Sequence, residues 1–278
     1  MNTSTQAHPQ VQVQVQVQVQ VQVHAHAHAH VAPPSRLLQL LESRAVWELA
    51  AGLMAWPWLR LAPRGDGHPV LVLPGLVATD GSTRMLRNFL AGRGHAVHGW
   101  GLGRNLGPRA GVEEAMLAVL DKLHADGGQR VSLVGQSLGG VYARALAAQR
   151  PDAVRNVISL GSPITGHPRA SNAWRVYEFT SGQSSHDPLR WERVTRPLSM
   201  PATSIYSRSD GVVAWQTSIG KDAPNAENIE VVSSHIGMAV HPAVLFAVAD
   251  RLAQPERAWQ PFERRGWRAA VFPKAVAA

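Results

Sequence analysis

Ser137 lies in "VSLVGQSLGG" (131–140), where an apolar run stops and a helix pattern, "LGGVYARALAAQ", begins. A serine hydroxyl is a weak nucleophile at neutral pH. To attack a carbonyl it needs a general base within hydrogen-bond reach and a carboxylate to orient that base. The spacing Gly135, Gln136, Ser137, Leu138, Gly139 suits a tight strand-to-helix turn. The two flanking glycines leave space where side chains would collide, so the hydroxyl stands clear of the backbone above a helix N-terminus. With 24 glycines in 278 residues, the bare match is moderate evidence and its context has to carry the argument.

Both partners are available downstream. Asp210, in "YSRSDGVVAW", follows an apolar run, and His235, in "VVSSHIGMAVHP", follows the next one. Ser137, Asp210 and His235 therefore come in the order nucleophile, acid, base, each at the tip of its own expected strand. Asp-Gly is also a common turn dipeptide, and a histidine in this position also suits a packed core or loop. The competing histidines are His167 and His186 in a polar stretch and His241 before Pro242, and none of them ends a strand pattern beyond Asp210. Asp187 and Asp222 sit in polar loops and are weaker acids for the role. The oxyanion of a tetrahedral intermediate needs two donors in place beforehand. The backbone N–H of Leu138, directly after the serine, is one candidate. The N–H of Leu76, in "LVLPGLVATDGS", is the other, because Gly75 permits close approach and Pro74 has no N–H to offer.

Positioning these residues calls for a particular framework. Buried-strand patterns occur at 68–75, 95–100, 131–135, 154–163, 202–210 and 227–235, with helical patterns at about 82–92, 111–125, 138–149 and 241–253. Such alternation predicts an α/β domain with a mostly parallel sheet, covered by helices on both faces, and ligands at the carboxyl ends of the strands. Residues 166–201 break the alternation and carry Trp174, Tyr177, Phe179 and Trp191, so they are expected to form a cap over that edge. Residues 36–61 spell an amphipathic helix disrupted near Pro57, expected either to pack on the domain or to lie on a membrane surface. The expected organisation is a tail over residues 1–35 and one domain over 36–278. The tail contains a Val-Gln and His-Ala dipeptide repeat at 11–31, read as disordered with some tendency to β association. Metal capture by His24, His26, His28 and His30 is its sharper alternative.

Together "VLVLPG", "VGQSLGG", "LGSP", "SRSDGVV" and "SSHIGM" resemble, in family order over roughly residues 68–255, the α/β-hydrolase superfamily. The resemblance is to its bacterial lipase-like and esterase-like members, with similarity to the inositol deacylases that process GPI anchors. It implies Ser137 as nucleophile, Asp210 as orienting acid, His235 as base, and Leu76 and Leu138 as oxyanion donors. It also implies hydrolysis of a carboxylic, lipid-like ester through an acyl-enzyme, and the single glycine in "PGL" is associated in the superfamily with longer acyl chains. One departure is visible: the first two strands of the family sheet have no counterpart before His68. An acyltransferase or thioesterase would use the same three residues, and a non-catalytic binding module of the same fold would use none of them.

Composition narrows the other classes. The balance of 27 Lys plus Arg against 19 Asp plus Glu gives a net charge of +8, yet the arginines are scattered, with no zinc-finger spacing or basic-aromatic ladder. A basic solvated surface is expected, and no nucleic-acid partner. The absence of cysteine excludes disulfides and thiolate chemistry. No metal and no cofactor is called for by the candidate site. "MNTSTQAHPQ" lacks the basic and apolar regions of a signal peptide, and no stretch is long and apolar enough to span a bilayer, so a cytoplasmic protein is the expectation.

Overall fold

The computed structural model describes residues 31–166, 169–185 and 188–275. The dipeptide repeat to His30, with its four alternate histidines, and His167, His186 and Asp187 lie outside the described residues. The strands are β1 (Pro69–Leu73), β2 (Ala96–Gly99), β3 (Val131–Gln136), β4 (Val154–Leu160), β5 (Ala202–Tyr206) and β6 (Ala226–Glu230). They form one six-stranded sheet in the order β2-β1-β3-β4-β5-β6, with every neighbouring pair parallel. Each expected strand pattern corresponds to one of these. Strands β1, β3, β4 and β5 are buried along their whole length, which is why they are mostly apolar, while the two edge strands are more exposed.

The period of two sorts their side chains between two cores. Val70, Val72, Val134 and Ile158 face one side, under α4 (Arg84–Gly92) and α9 (Pro242–Leu252), together with Phe272 just beyond α10 (Trp267–Val271). Leu71, Leu73, Leu133 and Val157 face the other, under α5 (Val112–Gly127) and α6 (Leu138–Gln149). Between β4 and β5 the chain forms α7 (Trp174–Ser181) and α8 (Pro188–Thr195). The buried Arg144 of α6 ties the end of α8 down by donating to the carbonyls of Val194 and Arg196 at 2.6 and 2.7 Å.

Residues 36–61 depart from the single helix expected up to Pro57. They form α1 (Arg36–Leu40), a 3-10 turn (Leu41–Arg44), α2 (Ala45–Met54) and α3 (Trp56–Leu59). The 3-10 turn tightens the spiral between α1 and α2 and brings Glu42 inward, where it is buried. Among the described residues no strand precedes Pro69, and this helical segment fills that part of the chain. It is anchored through Leu59 in the first core and through Trp56, whose ring meets Phe89 edge-on at 5.9 Å.

At the amino ends of β1 and β2, His68 and His95 are buried with ring centroids 4.8 Å apart. His68 is satisfied by Asp66 and by Ser132 at 2.7 Å, whereas neither ring nitrogen of His95 has a partner among the described residues. Burial, with His68 alongside, pushes His95 down from 6.5 to about 4. The unfolded chain therefore binds a proton that the folded one refuses, and stability present above 6.5 is lost as pH falls toward 4. Urea midpoints measured at pH 7 and pH 5 should show this loss, and His95→Leu should flatten it. An unchanged pH dependence in the variant would dissociate the loss from His95.

Candidate active site

Parallel pairing brings the carboxyl ends of the strands to one edge, with Leu73 opposite Gly135 and Gln136 opposite Leu160. At the tip of β3 the backbone of Ser137 has φ 53, ψ −122, a conformation costly for a residue with a side chain. It is forced there because α6 turns back tightly onto β3. A Cβ at position 135 would collide with the backbone of Gly139, and one at 139 with the Leu73 carbonyl. The Ser137 N–H donates to Leu160 O at 2.8 Å, and the Gln136 side chain donates to the carbonyl of His235 at 3.1 Å. The residue before the serine thus holds the histidine loop directly.

Asp210 and His235 meet beside this turn. Asp210 Oδ2 lies 2.6 Å from His235 Nδ1, and Asp210 Oδ1 accepts the N–H groups of Val212 and Val213 at 2.8 and 2.7 Å. With its carboxylate so occupied, Asp210 fixes Nδ1 as the protonated nitrogen of a neutral His235. Burial lowers the affinity of His235 for a proton, but the Asp210 carboxylate and hydrogen bond, with Glu42 behind them, outweigh it and hold the pKa above 6.5. A Cβ added at Gly161, directly after β4, would stand 3.1 Å from Asp210 Oδ2 and 3.2 Å from His235 Nδ1. Since Ser137 is bonded to the preceding residue, Leu160, the serine turn and the Asp210–His235 pair share one corner of the edge.

A half-open hollow at Ser137 has a cavity volume of ≈ 80 Å³. Leu76 and Leu138 lie in its wall, with Val141, Trp174, Tyr177 and Trp191 among the apolar groups around it. Phe179, expected with these aromatics, instead points outward and is 90% exposed. The loop carrying Leu76 is pinned by the fully buried Asn105, whose side chain donates to Pro74 O at 2.9 Å and whose carbonyl accepts from Val77 N at 2.6 Å. His241 caps α9, and Asp222 lies on the polar stretch before β6, so neither takes part in the Asp210–His235 contact.

Two acids that the sequence did not single out support this corner. Glu42 accepts the N–H groups of Gly211 (2.7 Å), His235 (3.0 Å) and Ile236 (2.9 Å), so one carboxylate spans the loops of both the acid and the histidine. Glu48 accepts Ser234 N at 2.7 Å and the Ser234 hydroxyl, and receives Arg44 at 3.4 Å. A side chain at Gly211 would strike Leu38 O, and one at Gly237 would strike Glu48, so both glycines make room for the segment that brings these acids in. The available signal was two glutamates in an otherwise apolar helical stretch, which periodicity alone places on the solvent side.

Asp66, His68 and His95 present ligand atoms within 4.8 Å of one another. Arg155 already engages the Asp66 carboxylate at 2.8 Å, and the group lies at the opposite edge of the sheet from Ser137, outside the candidate site.

Comparison with known proteins agrees with this architecture. A family model described as alpha/beta hydrolase fold matches residues 101–184, a span that includes Ser137. A triacylglycerol lipase of Pseudarthrobacter phenanthrenivorans is 30% identical over 108 residues, 36% of this chain and 34% of the relative. One of Burkholderia plantarii is 30% identical over 108 residues, 36% of this chain and 30% of that protein. The chain thus covers about a third of the length of these relatives. Among solved structures, Aspergillus fumigatus lipase B superposes with TM-score 0.54 at 17% identity, over 69% of this chain and 53% of the other. Est1E of Butyrivibrio proteoclasticus, solved with ferulic acid bound, gives 0.52 at 14% identity, over 66% and 86%. The strand order and these likenesses show an α/β-hydrolase fold, and the chain is similar over part of its length to lipases and esterases.

Proposed function

We propose that the protein hydrolyses carboxylic esters through an acyl-enzyme on Ser137, with His235 as general base and Asp210 as the acid that orients it. The observation that carries this is the 2.6 Å contact of Asp210 Oδ2 with His235 Nδ1, at the strand edge where Ser137 is held at φ 53. With Nδ1 donating to Asp210, Nε2 is left as the basic nitrogen. Ser137 Oγ attacks the ester carbonyl as its proton passes to Nε2. The oxyanion takes the N–H groups of Leu76 and Leu138, the latter in the first turn of α6, where backbone donors lack helical acceptors. Collapse breaks the ester C–O bond, the imidazolium returns the proton to the departing alcohol, and water activated by the same His235 frees the acid.

Residues 36–278 form one domain in this proposal, with about 166–201 as its cap. Trp174, Tyr177 and Trp191 supply apolar walls suited to an acyl chain, and the relatives named triacylglycerol lipases support a lipid-like ester as the substrate class.

Ser137→Ala should abolish turnover of p-nitrophenyl butyrate and labelling by a fluorophosphonate while leaving the thermal transition in place. Wild-type activity in the variant would remove Ser137 from the mechanism. Because the base must be neutral, kcat/KM should fall as pH drops through the raised pKa of His235, placing the acid limb above 6.5. Asp210→Asn removes the groups that raise it and leaves burial, so the limb should move downward while kcat falls by roughly 10³–10⁴. An unmoved limb would mean that another group titrates.

Glu42 is a positioning residue in this scheme. Glu42→Gln keeps an acceptor oxygen but removes the charge, and three buried N–H groups then share a weaker partner, at a cost of about 2–3 kcal/mol of stability. The acid limb should also shift to lower pH and kcat should drop with KM little changed. A variant that loses stability but keeps kcat and the pH profile would reduce Glu42 to a purely structural role.

A further inference from the structure

Helices on a globular domain ordinarily turn apolar residues inward and acids outward, but residues 36–61 do the reverse. Glu42 and Glu48 are buried, while Val46, Trp47, Leu53, Met54, Trp58 and Leu61 are each 59–80% exposed. The inversion has a cause: the inward face is occupied by loops whose backbone N–H groups need carboxylates, so the large apolar groups are left outside. Single exposed apolar residues are unremarkable on a protein surface, but a run of this size along three consecutive helices is not. From 31 to 64 no acidic side chain is exposed, whereas Arg36, Arg60 and Arg64 are. Two apolar grooves border the segment. One lies against α4 and includes Leu53 and Trp56 with Arg60 and Arg84, and the other lies against α9 and α10 and includes Trp58, Leu61 and Trp267.

We infer that this face docks on an anionic lipid surface. Exposed tryptophan and leucine beside arginine, with acids withdrawn, is the composition that partitions into a headgroup layer: the rings and aliphatic chains enter the acyl boundary, and the guanidinium groups meet phosphate. Among the described residues no helix is long and apolar enough to cross a membrane, so the contact is peripheral. The segment that carries this face is tied on its other side to the edge described above: Pro34 O accepts from Asn172 at 3.1 Å, and Glu42 accepts from the N–H of the exposed Ile236. The inference does not depend on ester hydrolysis, because binding can be read with no turnover.

The test is co-sedimentation of the full chain with phosphatidylcholine vesicles, with and without 30 mol% phosphatidylglycerol, read together with tryptophan emission. Binding and a blue shift are expected on the anionic vesicles, at least tenfold weaker on phosphatidylcholine alone and weakened by 0.5 M salt. Trp47→Ser with Leu53→Ser should cut binding at least tenfold, as should Arg60→Glu with Arg84→Glu. Both pairs should retain the wild-type thermal transition and the wild-type rate on p-nitrophenyl butyrate. No vesicle binding by the wild type, or equal binding by the variants, would overturn the inference. So would light scattering that shows a dimer broken by Trp47→Ser with Leu53→Ser, since the face would then be covered by a second copy of the chain.

Discussion

A carboxylate taken out of water must be given donors, and this constraint organises the carboxyl edge of the sheet. Asp210 is satisfied by Val212 N–H, Val213 N–H and His235, and Glu42 by Gly211, His235 and Ile236. The two acids draw on adjacent backbone groups of the same two loops, so neither loop can shift without leaving a buried charge short of partners. His235 feels the result directly: its ring faces one carboxylate, its backbone N–H faces the other, and its carbonyl is taken by Gln136. The serine turn, the acid loop and the histidine loop are thereby coupled through hydrogen bonds rather than through loop packing alone.

The sheet supplies what those bonds cannot, a common origin for loops far apart in sequence. Five neighbouring pairs in parallel register deliver every strand's carboxyl end to the same side. Burial of the central strands on both faces leaves little freedom for a register slip, because moving β1 by one residue would exchange Val70 and Val72 with Leu71 and Leu73 between two differently shaped cores. The strain at Ser137 is sustained by this framework, with α6 buried from Leu138 to Ala147 and Gly139 seated on the Leu73 carbonyl.

The strands were legible because a doubly covered parallel strand is mostly apolar, as 69–73 and 131–135 are, and even 154–160 keeps Val154, Val157, Ile158 and Leu160 around its buried Arg155 and Asn156. Asp210 and His235 were legible as candidates because each follows an expected strand, β5 and β6. Asn105 and Glu42 were not, since their importance lies in backbone groups they meet after folding, at Pro74, Gly211 and His235, and no sequence spacing encodes those encounters. The Asp-Gly pair at 210–211 shows the same limit. Its glycine suggested only a turn, whereas in the folded chain it also makes room for the Leu38 carbonyl. The break of residues 36–61 into three helices follows likewise from tertiary demand, as a continuous helix would not have carried Glu42 to both loops.

That segment does two opposed things with one short stretch of chain. Orienting Glu42 and Glu48 toward the loops of Asp210 and His235 commits its inward face to polar work, and a helix of this width has little left to bury except Gly52, Trp56 and Leu59. Leu37, Leu40, Leu53, Leu61, Trp47 and Trp58 then have no interior to enter. In water this costs solubility, and against an anionic bilayer the same surface becomes favourable while the inward bonds are untouched. A face that rewards contact with lipid and an edge that would process lipid-like esters are thus two sides of one helical element, joined by the carboxylates that pass between them.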